Sequence, residues 1–126
     1  MSNRTVKIVG AGIAPSAAAQ IAGADVQVGL TAAGTTQLTA LAVTGDNVEV
    51  TTAALNSGAM AFQGPVPGPG DCQYIFNGGA NPLSVYPPVG GQINVLGVNA
   101  AFSVPAGKGL LLRCFNATTF HTLLGA

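Results

Sequence analysis

Ionised side chains are almost missing from this sequence. Four Lys or Arg residues balance four Asp or Glu residues, so only 6% of the 126 residues are charged and the formal net charge is zero. Soluble domains carry about 25% charged residues, and proteins that bind nucleic acid need a basic patch against the phosphates. We therefore expect no nucleic-acid partner. A neutral, charge-poor monomer tends to associate, which predicts an obligate homo-oligomer or lattice component with apolar interfaces.

Groups that carry out catalysis are equally scarce. Tryptophan is absent, His121 is the only histidine, and the carboxylates are not spaced as an acid–base pair. A hydrolytic triad needs a histidine beside a nucleophile and oriented by a carboxylate, whereas His121 stands between Phe120 and Thr122 in "TTFHTLL". We predict that the protein is not an enzyme and has no cofactor and no metal site.

Long apolar runs are missing as well. Residues 72–107 contain no charge, but "NGGANP", "YPPVGGQ" and Pro105 interrupt them, so no 20-residue apolar helix fits. The start "MSNRTVKIVG" lacks the apolar core of a signal peptide. These features predict no membrane partner and synthesis in the cytoplasm.

Only two cysteines occur, Cys72 and Cys114, in separate apolar segments. A cytoplasmic origin favours two buried free thiols. The alternative is a disulfide between neighbouring strands that forms after release into an oxidising medium.

Glycine and proline are abundant, with 18 and 8 residues, and they divide the chain into short apolar runs. This spacing is typical of short strands and turns. Strands are expected at 5–9 and at 25–30, where Val26 and Val28 alternate with polar residues and should face the core. The segment 38–52 is expected to be a hairpin with a turn at "TGDN".

Further strands are predicted along the rest of the chain, at 58–63, 72–76, 83–86, 100–104, 109–115 and 118–124. The run "GPVPGPGD" at 64–71 should be an exposed loop, because proline and glycine prevent regular pairing. The only candidate helix is 15–23. This pattern predicts a single all-β domain over 1–126, a short-stranded β-sandwich or jelly-roll-like barrel, with an extended N-terminal arm at 1–24.

The stretch "VKIVGAGIAP" imitates a dinucleotide-binding turn. However, Pro15 occupies the place of the third glycine, and no acidic residue follows at the distance that would reach a ribose. We interpret it as a strand followed by a turn of small residues.

From residue 28 onward the sequence resembles a segment of small virion proteins of tailed bacteriophages and prophages. The resemblance rests mainly on "NGGANPLSVYPPVGGQIN" and "NAAFSVPAGKG". It implies a β-rich structural role, most simply a capsid decoration (cement) protein that stabilises the shell as a symmetric oligomer, with a trimer favoured. The major capsid protein would be its partner and the capsid surface its location. The alternative is a head- or tail-fibre or spike component that binds host-surface glycans.

The resemblance carries no catalytic residue. Its matching positions are expected to be turn and packing residues: Asn77, Gly78, Asn81, Pro82, Tyr86, Pro87, Gly91 and Asn94. Contacts with the capsid or between copies are expected from the N-terminal segment and the irregular loop, through Arg4, Lys7, Pro65, Pro67 and Pro69.

Overall fold

Ten short strands and one 3-10 turn form the secondary structure of residues 26–125, the part of the chain that the computed structural model describes. The 3-10 turn is Gln37–Thr39, and the strands are β1 Val26–Thr31, β2 Leu41–Ala42, β3 Asn47–Thr52, β4 Gly58–Met60, β5 Cys72–Asn77, β6 Leu83–Tyr86, β7 Gln92–Ile93, β8 Phe102–Val104, β9 Gly109–Asn116 and β10 Thr119–Leu124. The described chain is mostly β, as predicted. The strand expected at 5–9, the helix at 15–23 and the arm at 1–24 lie outside the described residues.

The strands form two sheets, and the chain changes sheet at every connection from β1 to β9. The six-stranded sheet has the order β1-β3-β5-β9-β10-β7, and the four-stranded sheet has the order β2-β4-β6-β8. Within each sheet the first three strands are parallel neighbours, so β1 to β6 wind as three successive coils. The pairs β5–β9, β9–β10 and β6–β8 are antiparallel, and β7 lies parallel to β10 at the edge.

The predicted hairpin at 38–52 is wrong. Its first strand, β2, pairs with β4, where Leu41 lies opposite Ala59, and its second strand, β3, pairs with β1 and β5 in the other sheet. The physical reason is burial: Val43 and Val48 enter the same core from opposite sheets. A hairpin would keep both strands in one sheet. The turn residues "TGDN" therefore connect two layers instead of two paired strands.

Both sheets contribute to one buried hydrophobic cluster. Side chains of the six-stranded sheet, including Ile75, Leu110 and Leu112, share this cluster with Leu83 and Val85 of the four-stranded sheet. Each fully buried side chain of this kind contributes roughly 1.5–3 kcal/mol.

Two buried amides tie the sheets together. They stand on either side of Ile75 on β5: Gln73 donates from Nε2 to the Gly45 carbonyl at 2.8 Å, and Asn77 donates from Nδ2 to the Val104 carbonyl at 2.9 Å. Because these links are neutral, the interior needs no charged group at either point.

The first strand has the opposite orientation from the one expected. Val26 and Val28 are 53% and 67% exposed, while Gln27 is directed inward. The Gln27 side-chain oxygen accepts hydrogen bonds from the backbone N–H groups of Thr44 and Gly45 at 3.0 and 2.9 Å. These bonds replace the apolar burial that the alternation predicted, and they leave two valines on the outside.

Candidate functional site

The side of the six-stranded sheet that points away from the core is unusually apolar, and we call it the outer face. One row of outward side chains crosses five strands through direct pairing: Val26, Asn47, Tyr74, Leu111 and Leu123. The corresponding row of the four-stranded sheet holds only Gly58, Ser84 and Ser103. The next outward row of that sheet is Ala42, Met60 and Tyr86, of which only Ala42 is exposed. The exposed large apolar side chains of the strands therefore lie on the six-stranded sheet.

A second row of the outer face carries polar groups among apolar ones. Arg113 on β9 lies opposite Cys72 on β5 and opposite His121 on β10. The neighbouring Phe115 is 55% exposed and meets the His121 ring edge to face, with centroids 4.5 Å apart and planes at 82°. A register shift after Thr119 interrupts the β9–β10 pairing next to Phe115.

A shallow depression of about 180 Å³ lies between Arg113, Phe115 and His121, and Leu111, Thr122 and Leu123 complete its lining. The depression combines a guanidinium, an imidazole and an aromatic ring in an apolar rim. Such a set can hold an acidic group or pack against another apolar surface.

Two opposite charges stand on the outer face. Arg113 on β9 and Glu49 on β3 are exposed, and the central strand β5 separates them. Within residues 26–125 neither side chain has a hydrogen-bond or ion-pair partner. An apolar face with two unpaired charges of opposite sign has the composition of an interface that is completed by another molecule.

A second exposed apolar surface lies on loops. Asn99, at φ +64°, accepts hydrogen bonds at its side-chain oxygen from Gly90 N–H at 2.6 Å and Gln37 Nε2 at 3.1 Å. Three loops therefore meet at this residue, and each presents a neighbouring exposed side chain: Leu38, Val89 and Val98. We call this surface the loop cluster. Val95, 95% exposed, lies in the same loop as Asn99.

Half of the predicted turn and packing positions stand close together around the end of β5. Asn77 is buried and also donates to the Asn81 carbonyl at 2.9 Å, while Gly78 N–H donates to the Val50 carbonyl at 2.7 Å. The Asn81 side chain reaches the Ala53 carbonyl at 2.9 Å. Pro82 follows and is exposed.

The other predicted turn positions lie apart from this group. Tyr86 donates from its hydroxyl to the Thr35 carbonyl at 3.2 Å, and Pro87 is buried. Gly91 is buried where a Cβ would stand 3.0 Å from the Phe120 ring. Asn94, at φ +52°, exchanges two hydrogen bonds with Thr122. The sequence motif is thus divided between two regions of the fold.

The predicted contact of the proline-rich loop with a partner is wrong at one of its three prolines. Pro65 and Pro69 are exposed, but Pro67 is buried and cannot contact a partner. The loop is folded back by Asp71, whose carboxylate accepts from Gly68 N–H at 2.8 Å, and by Gly70 N–H, which donates to the Cys114 carbonyl at 2.8 Å. Arg4 and Lys7 lie outside the described residues.

No disulfide joins the two cysteines, which lie on opposite sides of the six-stranded sheet. Cys114 is buried and inward, while Cys72 is half-buried in the outward row of Arg113. The disulfide considered for this pair is therefore not formed, because neighbouring strands direct the two side chains to different faces.

No group of three or more His, Cys, Asp or Glu residues that could hold a metal ion occurs within 26–125. In the same range, no helix is long and apolar enough to cross a membrane.

Sequence reasoning missed the outer face, although one signal was present. In "GLLLRCFN" of β9 the exposed Arg113 fixes the phase of the strand, so Leu111 and Phe115 must share its side, while Leu110, Leu112 and Cys114 face the core. The loop cluster had a weaker signal, since Asn is among the few non-glycine residues that tolerate positive φ.

Comparison of this chain with protein-family models, with curated proteins and with solved structures finds no match.

Proposed function

We propose that this chain is a structural protein of a bacteriophage virion, and specifically a capsid decoration protein that stabilises the shell as a symmetric oligomer. The observation that supports this most is the outer face: a sheet surface of Val26, Val28, Tyr74, Phe115 and Leu123 exposed together on a chain with almost no charge. Monomeric proteins rarely leave such a patch uncovered.

The resemblance of residues 28 onward to small virion proteins of tailed phages supports the same proposal. It makes the major capsid protein the partner, the capsid surface the location and the host cytoplasm the place of synthesis. Contacts repeated over many copies stabilise a shell even where each one is weak. Lattice cementing therefore requires no catalytic group.

We further propose that the two sheets form a β-sandwich and not a jelly-roll-like barrel. The shared hydrophobic cluster supports two packed layers. The parallel pairs β1–β3–β5 and β2–β4–β6 favour it as well, since a jelly roll is built from antiparallel Greek keys.

The test compares particles made with and without this protein. Decoration requires many copies per particle, and shells without the protein should rupture at lower temperature in a heat-release assay. Supplying the purified protein to the bare shells should restore the stability. Normal stability of shells that lack the protein would count against the proposal.

A fibre or spike component that binds host glycans is the second candidate, and the depression beside Phe115 favours it. An exposed aromatic ring next to Arg113 and His121 has groups that acidic sugars can stack on and pair with. A glycan array separates the candidates: selective binding that Phe115→Ala abolishes, together with only a few copies per particle, would support the fibre role.

A further inference from the structure

We propose that two copies of this chain pack their outer faces against each other around a two-fold axis, with Arg113 of each copy paired to Glu49 of the other. This deepens the oligomer part of the proposed function and rests on it only in assuming that the outer face is covered by a copy of the chain. It names the surface that is buried and the charges that set its register.

Arg113 and Glu49 are placed symmetrically about Tyr74. Arg113 lies opposite Cys72, two residues before Tyr74 on the central strand, and Glu49 lies opposite Phe76, two residues after it. The two charged residues belong to the strands on either side of β5. They are therefore at mirrored offsets, on the order of 16 Å apart from strand spacing and rise.

Mirrored offsets give a self-complementary surface. A two-fold axis that lies in the interface, passes near Tyr74 and runs perpendicular to the Arg113–Glu49 diagonal carries each charge onto its opposite in the second copy. The contact is isologous, so it forms two identical ion pairs. The same rotation brings Phe115 over the edge strand of the second copy that carries Val28.

The area of the outer face is close to that of a stable interface. The exposed parts of Val26, Val28, Tyr74, Phe115 and Leu123 amount to roughly 500 Å² of largely apolar surface. A stable interface of standard size takes about 800 Å² from each partner. The apolar side chains together with Arg113, Glu49 and His121 reach that range. The loop cluster lies on loops outside this sheet face and is not part of the contact.

The two unpaired charges of the outer face also call for a partner. An exposed ion pair contributes little to stability, but a charge buried in an apolar interface without its partner is strongly unfavourable. Because Arg113 and Glu49 lack partners within the described chain, burial of the outer face requires that both be matched from outside. A second copy supplies both matches at once.

The test is a charge swap in the full-length chain. The oligomeric state of the wild type, Arg113→Glu, Glu49→Arg and the double variant is measured by sedimentation across a concentration series. We expect a wild-type dimer, at least roughly tenfold weaker dimerisation in each single variant because like charges then meet, and recovery in the double variant. Lys108→Glu, which reverses the other cation of residues 26–125, is the matched control and should leave the dimer intact.

Several outcomes overturn the proposal. A full-length chain that stays monomeric at about 100 μM, a range in which micromolar dimers are populated, shows that something else covers the face, residues 1–25 included. A wild-type trimer, which the resemblance to virion proteins favours, shows that another contact is used. Single variants that dimerise as tightly as the wild type would show that the Arg113–Glu49 pairs do not form. A double variant that dimerises no more tightly than the single variants would show the same. Circular dichroism confirms that each variant is folded.

The two proposals fail separately. If the double variant restores dimerisation but particles contain no copies of the protein, the dimer interface is supported and the decoration role is contradicted. If particles carry many copies but the double variant does not restore dimerisation, the decoration role is supported and this interface is contradicted.

Discussion

The side chain of Gln73 holds the backbone of Phe62 in a left-handed conformation across the two sheets. Its Oε1 accepts a hydrogen bond from Phe62 N–H at 2.9 Å, and Phe62 has φ +54°, which is unusual for a bulky residue. The Phe62 ring stacks on Phe120 of β10, with centroids 5.3 Å apart. One buried amide thus fixes the position of an aromatic ring that packs against the hydrophobic cluster.

Replacing Gln73 by leucine should destabilise the protein by about 3 kcal/mol. The substitution removes the acceptor for Phe62 N–H and the donor to the Gly45 carbonyl, and each buried group left without a partner costs about 1–3 kcal/mol. The Val43 carbonyl keeps its hydrogen bond from Gln63 N–H. Urea unfolding measures the change. Gln63→Ala is the control: Gln63 is only half-buried and bonds to Ala61 in its own loop, so the loss should be about 1 kcal/mol or less. Equal losses in both variants would contradict the assigned role.

Three substitutions at Asn99 should separate backbone conformation from hydrogen bonding. Asn99→Asp keeps an acceptor for Gly90 N–H and tolerates positive φ, so its stability should stay near that of the wild type. Asn99→Gly keeps the conformation and loses the acceptor, at about 1 kcal/mol. Asn99→Ala loses both, at about 2 kcal/mol. Thermal unfolding gives the order; an alanine variant as stable as the aspartate variant would mean that the junction of the three loops is not held by Asn99.

A side chain at residue 79 should not be tolerated. A Cβ on Gly79 would stand 2.6 Å from the Ala53 nitrogen, a backbone atom that cannot move aside alone. We expect Gly79→Ala to lower the free energy of unfolding by about 1–3 kcal/mol. Gly97→Ala is the matched control, because a Cβ there meets nothing within 4 Å; it should be neutral or stabilise by up to about 1 kcal/mol. Similar effects at the two glycines would show that the approach at Ala53 is loose.

The two thiols should differ in their reaction with a thiol reagent. Cys114 is 1% exposed and should react only when the chain unfolds, whereas the half-buried Cys72 should react in the folded state. Because Cys72 shares a row with Arg113, its reaction should slow as the protein concentration rises and the outer faces pair. Mild oxidation of the folded protein should give no intrachain disulfide. Rapid formation of that bond would contradict the placement of the sulfurs on opposite faces.

Local features of this fold were predictable from the sequence. The strands at 72–76, 83–86, 109–115 and 118–124 were predicted to within a residue or so, because glycine and proline mark their ends and alternating apolar residues mark their interiors. Asn77 and Asn94 were named as turn and packing candidates; Asn77 ends β5 and Asn94 has φ +52°, and their side-chain partners were not foreseeable.

Long-range features were not predictable in the same way. Which sheet receives β2 or β3 depends on partners far along the chain, such as Ala59 for Leu41 and Ile75 for Val48. The direction of Val26 depends on a hydrogen bond that Gln27 makes to the connection after β2. Alternation defines two sides of a strand, but only the tertiary partners decide which side is inside.

The three coils of β1 to β6 stack along one direction, so that a further coil could be inserted among them. Each coil adds one strand to each sheet, and its strands pair only with strands of the neighbouring coils, while β8 and β9 pair with the last coil. We expect that duplicating one coil would lengthen both layers in step and keep every existing pairing, as stacked repeats do. The architecture thus resembles a short solenoid with a terminal cap, and its length depends on the number of coils in the sequence.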